Sequence, residues 1–302
     1  MNRTRSAVQD QADTLRTLSD TVRSGSLSQG REYPTRVYAI TSGKGGVGKT
    51  AVVANVAVSL ARLGKKVLIL DADLGLANID VVFGLAPRFN LNHFFAGEQE
   101  LADILADGPH GIKILPAGSG VQNFTRLDSQ QKLKLLDGLD MMHNDFDFVL
   151  IDTEAGISEN VTYFNTAAQE ILIVTTPDPT AITDAYALMK LLSTQYHEKR
   201  FNLVVNQIQH ENEALDVFRK LTMVSNRYLD ISIDFLGSIP ADRQMIDAIR
   251  KQRVIVDLYP SSKVSAAFAN LAVTICAEQP TSEPKGGVQF FWKKILDIGG
   301  RR

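Results

Sequence analysis

The sequence predicts an α/β protein, a mostly parallel sheet flanked by helices, and three observations lead there. From Arg36 onward, short β-branched runs alternate with helical stretches, the pattern of βαβ units. The runs are apolar at successive positions, so helices must cover both faces of the sheet. A glycine-rich turn at residues 43–50 lies between the first run and the first helical stretch, where a strand–loop–helix ligand cradle sits. With 302 residues, 44% of them hydrophobic and 22% charged, the chain supports one fairly large domain with short appendages.

Residues 1–34 are polar and rich in Ser, Gln and Arg, with the composition of a flexible linker from Ser24 to Gly30. Inside this leader Val8, Ala12, Leu15, Leu18 and Val22 recur at spacings of three and four, which predicts a short helix with one apolar stripe. Such a helix is either disordered until it meets a partner or docked on its own body. The body, residues 35–277, opens with a strand at 36–41, a helix at 49–63 ended by Gly64, and a strand at 66–70. Further strands are expected at 112–115, 146–151, 171–175, 201–206 and 235–239. After Ala277 the composition turns to Glu, Pro, Thr, Ser and Gly, so residues 278–302 are a second linker and a short final segment, 288–298.

Composition excludes several classes of function. A net charge of -2 and a pI near 6.2 give no global reason to expect nucleic-acid binding, which needs a concentrated basic surface; a local patch stays open, but sequence-specific nucleic acid is not an expected partner. Cys276 is the only cysteine, which rules out an internal disulfide, argues against a cysteine-built metal site, and reads as a small buried hydrophobe. No apolar stretch follows Arg3 and Arg5, and no run of about 18 apolar residues exists. The cytoplasm is the expected compartment.

The turn Gly43-Lys44-Gly45-Gly46-Val47-Gly48-Lys49-Thr50 fits the P-loop pattern G-x-x-x-x-G-K-[ST]. Its glycines let backbone N–H groups surround phosphate oxygens, and the following helix adds its partial positive charge. Lys49 is expected on the β- and γ-phosphates and the Thr50 hydroxyl on Mg2+. Lys44 adds information. Residues 44–50 resemble the deviant Walker A sequence K-G-G-x-G-K-[ST] of the MinD/ParA class, which implies a MinD-like P-loop NTPase fold. The resemblance implies that two chains sandwich two ATP molecules, with Lys44 reaching the partner's nucleotide; a solvated lysine is the alternative.

The second strand runs into Asp71-Ala72-Asp73-Leu74-Gly75-Leu76-Ala77-Asn78-Ile79-Asp80. Carboxylates at the C-terminal end of a parallel strand face the ligand crevice, although capping and turn chemistry also use aspartate. The segment resembles the first switch of MinD-like ATPases, D-x-D-x-G-x-x-N-x-D, implying Asp71 on the metal side and Asp73 positioning the attacking water; Asp80 reads as structural. The strand at 146–151 ends in Asp152, the arrangement of a Mg2+-linked carboxylate. Residues 153–157 resemble the second switch, with Glu154 where that family has a small residue or proline. Asn206, at a strand end where a turn former is also common, matches the asparagine that reads adenine in MinD relatives. Ile239-Pro240-Ala241-Asp242 resembles the loop that packs on the ring, which adds Pro240 and Asp242. The guanine-reading N-K-x-D is absent.

The two ends select a branch of the class. Val288, Phe291, Trp292, Ile295, Leu296 and Ile298 fall on one side of a helical projection, opposite Gln289, Lys293, Lys294 and Asp297, with Phe290 the exception. Phe291, Trp292 and Ile295 below Lys293 and Lys294 fit a helix lying in a lipid headgroup region; packing on the body is the other reading. Asp10, Gln11, Ala12, Leu15 and Arg16 match the D-Q-A-x-x-L-R leader of FlhG/FleN-type flagellar number regulators. That resemblance implies a homodimer with ATP, stimulation of the GTPase FlhF, contacts to flagellar switch-complex proteins and a flagellar transcriptional activator, and cycling to the inner membrane surface. The alternatives are a division-site MinD, which does not need the leader, and a soluble ParA-type partitioning ATPase, which needs a basic surface for DNA.

Overall fold

The computed structural model describes residues 35–73, 78–116 and 145–278, with Gln131, Lys134, Asp137, Gly138 and Met142 between the last two stretches. The leader motif Asp10 to Arg16, residues 74–77 of the first switch and the terminal segment carrying Phe291, Trp292, Lys293, Lys294 and Ile295 lie outside the described residues.

Eight strands form one sheet in the order β3-β4-β2-β5-β1-β6-β7-β8. They are β1 Arg36–Ser42, β2 Val67–Ala72, β3 Ala106–Asp107, β4 Lys113–Leu115, β5 Phe148–Ala155, β6 Glu170–Thr175, β7 Arg200–Ile208 and β8 Ser232–Pro240. Every neighbouring pair is parallel except β3 with β4. Parallel strands require crossovers, and helices supply them: α1 Lys49–Arg62, α2 Ile79–Phe83, α3 Leu91–Ala96, α4 Glu159–Ala167, α5 Pro179–Tyr196, α6 Glu211–Tyr228, α7 Arg243–Arg250, α8 Ile255–Leu258 and α9 Lys263–Ala277.

Alternation along each strand divides the core into layers. Tyr38, Ile40, Ile69 and Leu150 face α1 and α9, while Val37, Ala39, Leu68 and Val149 face α3 and α4. Past β1 the second face is covered by α5 and α6, which pack on Ile171, Ile173, Leu203 and Val205. Helix α1 is rich in valine, a residue that intrinsic preference disfavours in helices. Val52, Val53, Val56 and Val58 are nonetheless fully buried there, and at roughly 1.5 kcal/mol or more for each, burial outweighs a propensity cost of a few tenths.

Several boundaries differ from the sequence reading for local reasons. Phe146 precedes β5 because Asp147 turns its carboxylate to the Lys66 N–H at 2.7 Å. β5 then runs on through Asp152, Thr153 and Glu154, since Asp152 and Thr153 pair across to Asp71 and Ala72. β3 is only two residues long and carries no alternation that a pattern could show. Cys276 is half-buried at the edge of the core rather than enclosed, and its partial desolvation raises the thiol. Among the described residues no helix is long and apolar enough to cross a membrane.

Candidate nucleotide site

The C-terminal ends of β1, β2, β5 and β7 bring most of the candidate residues to one edge of the sheet. The loop after β1 is shaped by two glycines in particular. A Cβ on Gly43 would stand 2.2 Å from the Asp184 backbone carbonyl, so the loop presses directly on α5. Gly48 caps α1 with φ 87, a left-handed conformation that side chains resist. Gly46 shares that conformation at φ 81, and the half-buried Thr50 occupies the first turn of α1. Consecutive turns of this kind direct backbone N–H groups into a concavity that suits a phosphate.

The two loop lysines point to different environments. Lys49 is 7% exposed, and its Nζ lies 2.5 Å from Asp152 Oδ1. Lys44 is 40% exposed, donates to Thr180 Oγ1 and stands 3.6 Å from Asp178 Oδ2. Asp178 in turn accepts the Thr180 hydroxyl at 2.6 Å and, as the N-cap of α5, the Thr180 and Ala181 N–H groups, and these hydrogen bonds, the hydroxyl's foremost, hold its carboxyl down at about 2.

Asp71 and Asp152 sit side by side in the β2–β5 ladder, 2% and 1% exposed. Asp71 accepts the N–H groups of Ile79 at 3.2 Å and Asp73 at 3.3 Å. Burial, and after it the charge of Asp152, pushes the Asp71 carboxyl up to about 7. Asp152 Oδ2 is buried without a hydrogen bond. Two adjacent buried carboxylates, one with an orphaned oxygen, are a costly arrangement unless a cation is shared between them, so this oxygen-rich donor set fits Mg2+. Asp73 is half-buried beside them, and Asp80 accepts the Val81 N–H at 2.7 Å within its own turn, as a structural residue does.

Asn206, Pro240 and Asp242 line a cavity of about 530 Å³ together with Gly48, Ala51, Val52 and Phe268. Asp242 is also the N-cap of α7, accepting the Gln244 N–H at 2.8 Å. A mostly apolar recess with a few polar groups beside a phosphate loop is the form of a base site. At the end of β5, Glu154 accepts from Ser158 Oγ at 3.1 Å and from Asn160 Nδ2 at 3.3 Å, which ties the strand end to the first turn of α4. A small residue or proline could make neither bond.

Sequence reasoning missed Asp178 and Thr180, and the cavity residues Gln207, Met245, Ile246 and Ile249. The Asp178-Pro179 pair is a legible helix start after an apolar run. That it holds Lys44 depends on how α5 folds back across the loop. The cavity wall from α7 carries no motif and is assembled only by tertiary packing.

Comparison with known proteins accords with this geometry. Residues 34–276 match the ParA-family profile described as an NUBPL iron-transfer P-loop NTPase. The iron-transfer part of that description finds no cysteine pair here, since Cys276 stands alone. The antiactivator FleN of Pseudomonas aeruginosa is 41% identical over 267 residues, covering 88% of this chain and 95% of that protein. The flagellum site-determining protein YlxH of Helicobacter pylori is 33% identical over 270 residues, covering 88% and 91% respectively. The solved structure of the septum site-determining protein MinD from Pyrococcus horikoshii, complexed with Mg-ADP, superposes with a TM-score of 0.64 at 26% identity, over 80% of this chain and 96% of that one. With its P-loop, paired strand-end aspartates and eight-stranded sheet, the chain belongs to the ParA/MinD family of P-loop ATPases.

Proposed function

We propose that this protein is an ATP-driven dimerising switch that regulates flagellar number or placement. The observation that carries the reading is the division between the two loop lysines. Lys49 is enclosed with Asp152, as a residue serving the chain's own phosphates must be, whereas Lys44 stands at the lip, held only by surface partners on α5. A second copy that offers a nucleotide phosphate competes well for such a lysine, because exposed ion pairs contribute little. The flagellar assignment draws on the similarity to FleN and YlxH and on the Asp10 to Arg16 leader.

In this reading the loop N–H groups and Lys49 hold the triphosphate, Thr50, Asp71 and Asp152 hold Mg2+, and Asp73 orients the attacking water. The metal, when bound, would neutralise phosphate charge and give Asp71 and the orphaned Oδ2 of Asp152 a cation in addition to the Lys49 pairing on Oδ1. Dimerisation pairs two terminal segments, and two weak amphipathic anchors hold a membrane where one does not. Asp10, Gln11, Ala12, Leu15 and Arg16 engage an FlhF-type GTPase and stimulate it; flagellar switch-complex proteins and a flagellar transcriptional activator are the further partners.

Liposome co-sedimentation with ATP, with ADP and without nucleotide tests the switch, comparing the full chain with one ending at Gly287. Pelleting that needs ATP and is lost on truncation is the expected result. A protein that dimerises with ATP yet pellets in no state refutes the membrane step. GTP turnover by an FlhF-type GTPase, with the full chain and with one starting at Thr35, tests the leader. Equal turnover from both refutes its role.

A further inference from the structure

Asn206 is turned toward the phosphate loop, and the turn has a visible cause. In the β7–β8 ladder Asn206 pairs with Ile239 and Ile208 with Pro240, while the register slips between them at Gln207. Gln207 takes up that slip with a left-handed φ of 60, a conformation that costs a non-glycine residue about 1 kcal/mol or more. As a result Gln207 is exposed and Asn206 is only 6% exposed.

Both ends of the Asn206 amide are engaged within the protein. Nδ2 donates to the Val47 carbonyl at 2.8 Å, and Oδ1 accepts the Gln207 N–H at 2.9 Å. These partners fix the orientation of the amide, because a carbonyl only accepts and a backbone N–H only donates. The amide nitrogen also occupies the space a Cβ on Gly48 would need, 2.5 Å away. The Val47 carbonyl and the Gly48 N–H belong to one planar trans peptide and point in opposite directions. Holding the oxygen therefore aims the N–H of the residue that caps α1.

We propose that Asn206 is a positioning residue of the phosphate loop, which locks the Val47–Gly48 peptide before any nucleotide arrives and so couples the lining of the base cavity to the phosphate cradle. The proposal rests on the nucleotide-binding reading above. It differs from base reading in one testable respect: a brace serves every ligand that carries the phosphates, with or without a base.

The test compares wild type, Asn206→Ala and Asn206→Asp by calorimetric binding of Mg-ATP and of Mg-tripolyphosphate, which has no base, and by hydrogen exchange of residues 43–50 in the nucleotide-free protein. Asn206→Ala is expected to weaken both ligands by the same factor, roughly tenfold for one well-placed hydrogen bond. Its loop amides should exchange faster with no ligand present. Asn206→Asp keeps the volume and the acceptor for the Gln207 N–H but lacks the donor; its loop amides should also exchange faster, which covers the case in which the alanine variant does not fold. A loss confined to ATP, with tripolyphosphate affinity and loop exchange unchanged, overturns the brace and makes Asn206 a base reader. A wild-type protein that binds neither ligand sinks the nucleotide reading and the proposal together.

Discussion

Asp71→Asn is expected to stabilise the nucleotide-free protein while removing Mg2+-dependent nucleotide binding. Burial and the neighbouring Asp152 hold the Asp71 carboxyl at about 7 against an ordinary 3.8, and at roughly 1.4 kcal/mol for each tenfold change this displacement is worth on the order of 4 kcal/mol. Asparagine removes the charge but has one acceptor oxygen where Asp71 uses both, Oδ1 for the Asp73 N–H and Oδ2 for the Ile79 N–H, so one of the two bonds is lost at a cost of about 1 kcal/mol. A net gain of roughly 3 kcal/mol remains, about 6–12 °C in melting temperature for a body of this size. The sign of the pH dependence follows from the raised value. The folded state holds the Asp71 proton more tightly, so the penalty is absent below the unfolded pKa of 3.8, grows as pH rises and is complete above about 7. Thermal melts without Mg2+ should therefore show the variant's advantage widening from about pH 5 to about pH 8. A variant no more stable than wild type at the alkaline end, or an advantage that does not change with pH, refutes the account of Asp71 as a strained, functionally retained carboxylate.

Three further outcomes follow from contacts already described. Gly48→Ala forces a side chain into a left-handed position and against Asn206, so it should cost at least about 1 kcal/mol in a melt and reduce nucleotide binding far more than stability. Arg36 donates to the carbonyls of Ile275 and Glu278 at the end of α9 and lies over the rings of Tyr38 and Phe148. Arg36→Ala should lower stability by roughly 2–3 kcal/mol and speed hydrogen exchange at the end of α9 without weakening nucleotide binding. Glu154→Ala removes the bonds to Ser158 and Asn160, and should raise exchange across residues 154–160 while costing only about 1 kcal/mol in a melt.

The class of fold, the phosphate loop and the strand-end aspartates were legible in the sequence because each is written locally. Apolar runs at strand length, a spacing of glycines and a carboxylate after a run need no knowledge of distant residues. Even the departure at Glu154 was visible as a wrong residue type, although its bonds to Ser158 and Asn160 were not. Tertiary structure alone decided the rest. Strand order placed β5 between β1 and β2, and so set Asp152 beside Asp71 and within reach of Lys49. The passage of α5 behind the loop gave Lys44 its surface partners and required a glycine at residue 43. The slip at Gln207 buried Asn206 and set its amide on the Val47 carbonyl. The hydrogen bonds among these contacts join residues separated by more than a hundred positions in the chain, and no local pattern encodes them, because they arise only when one sheet and its covering helices bury their apolar faces together.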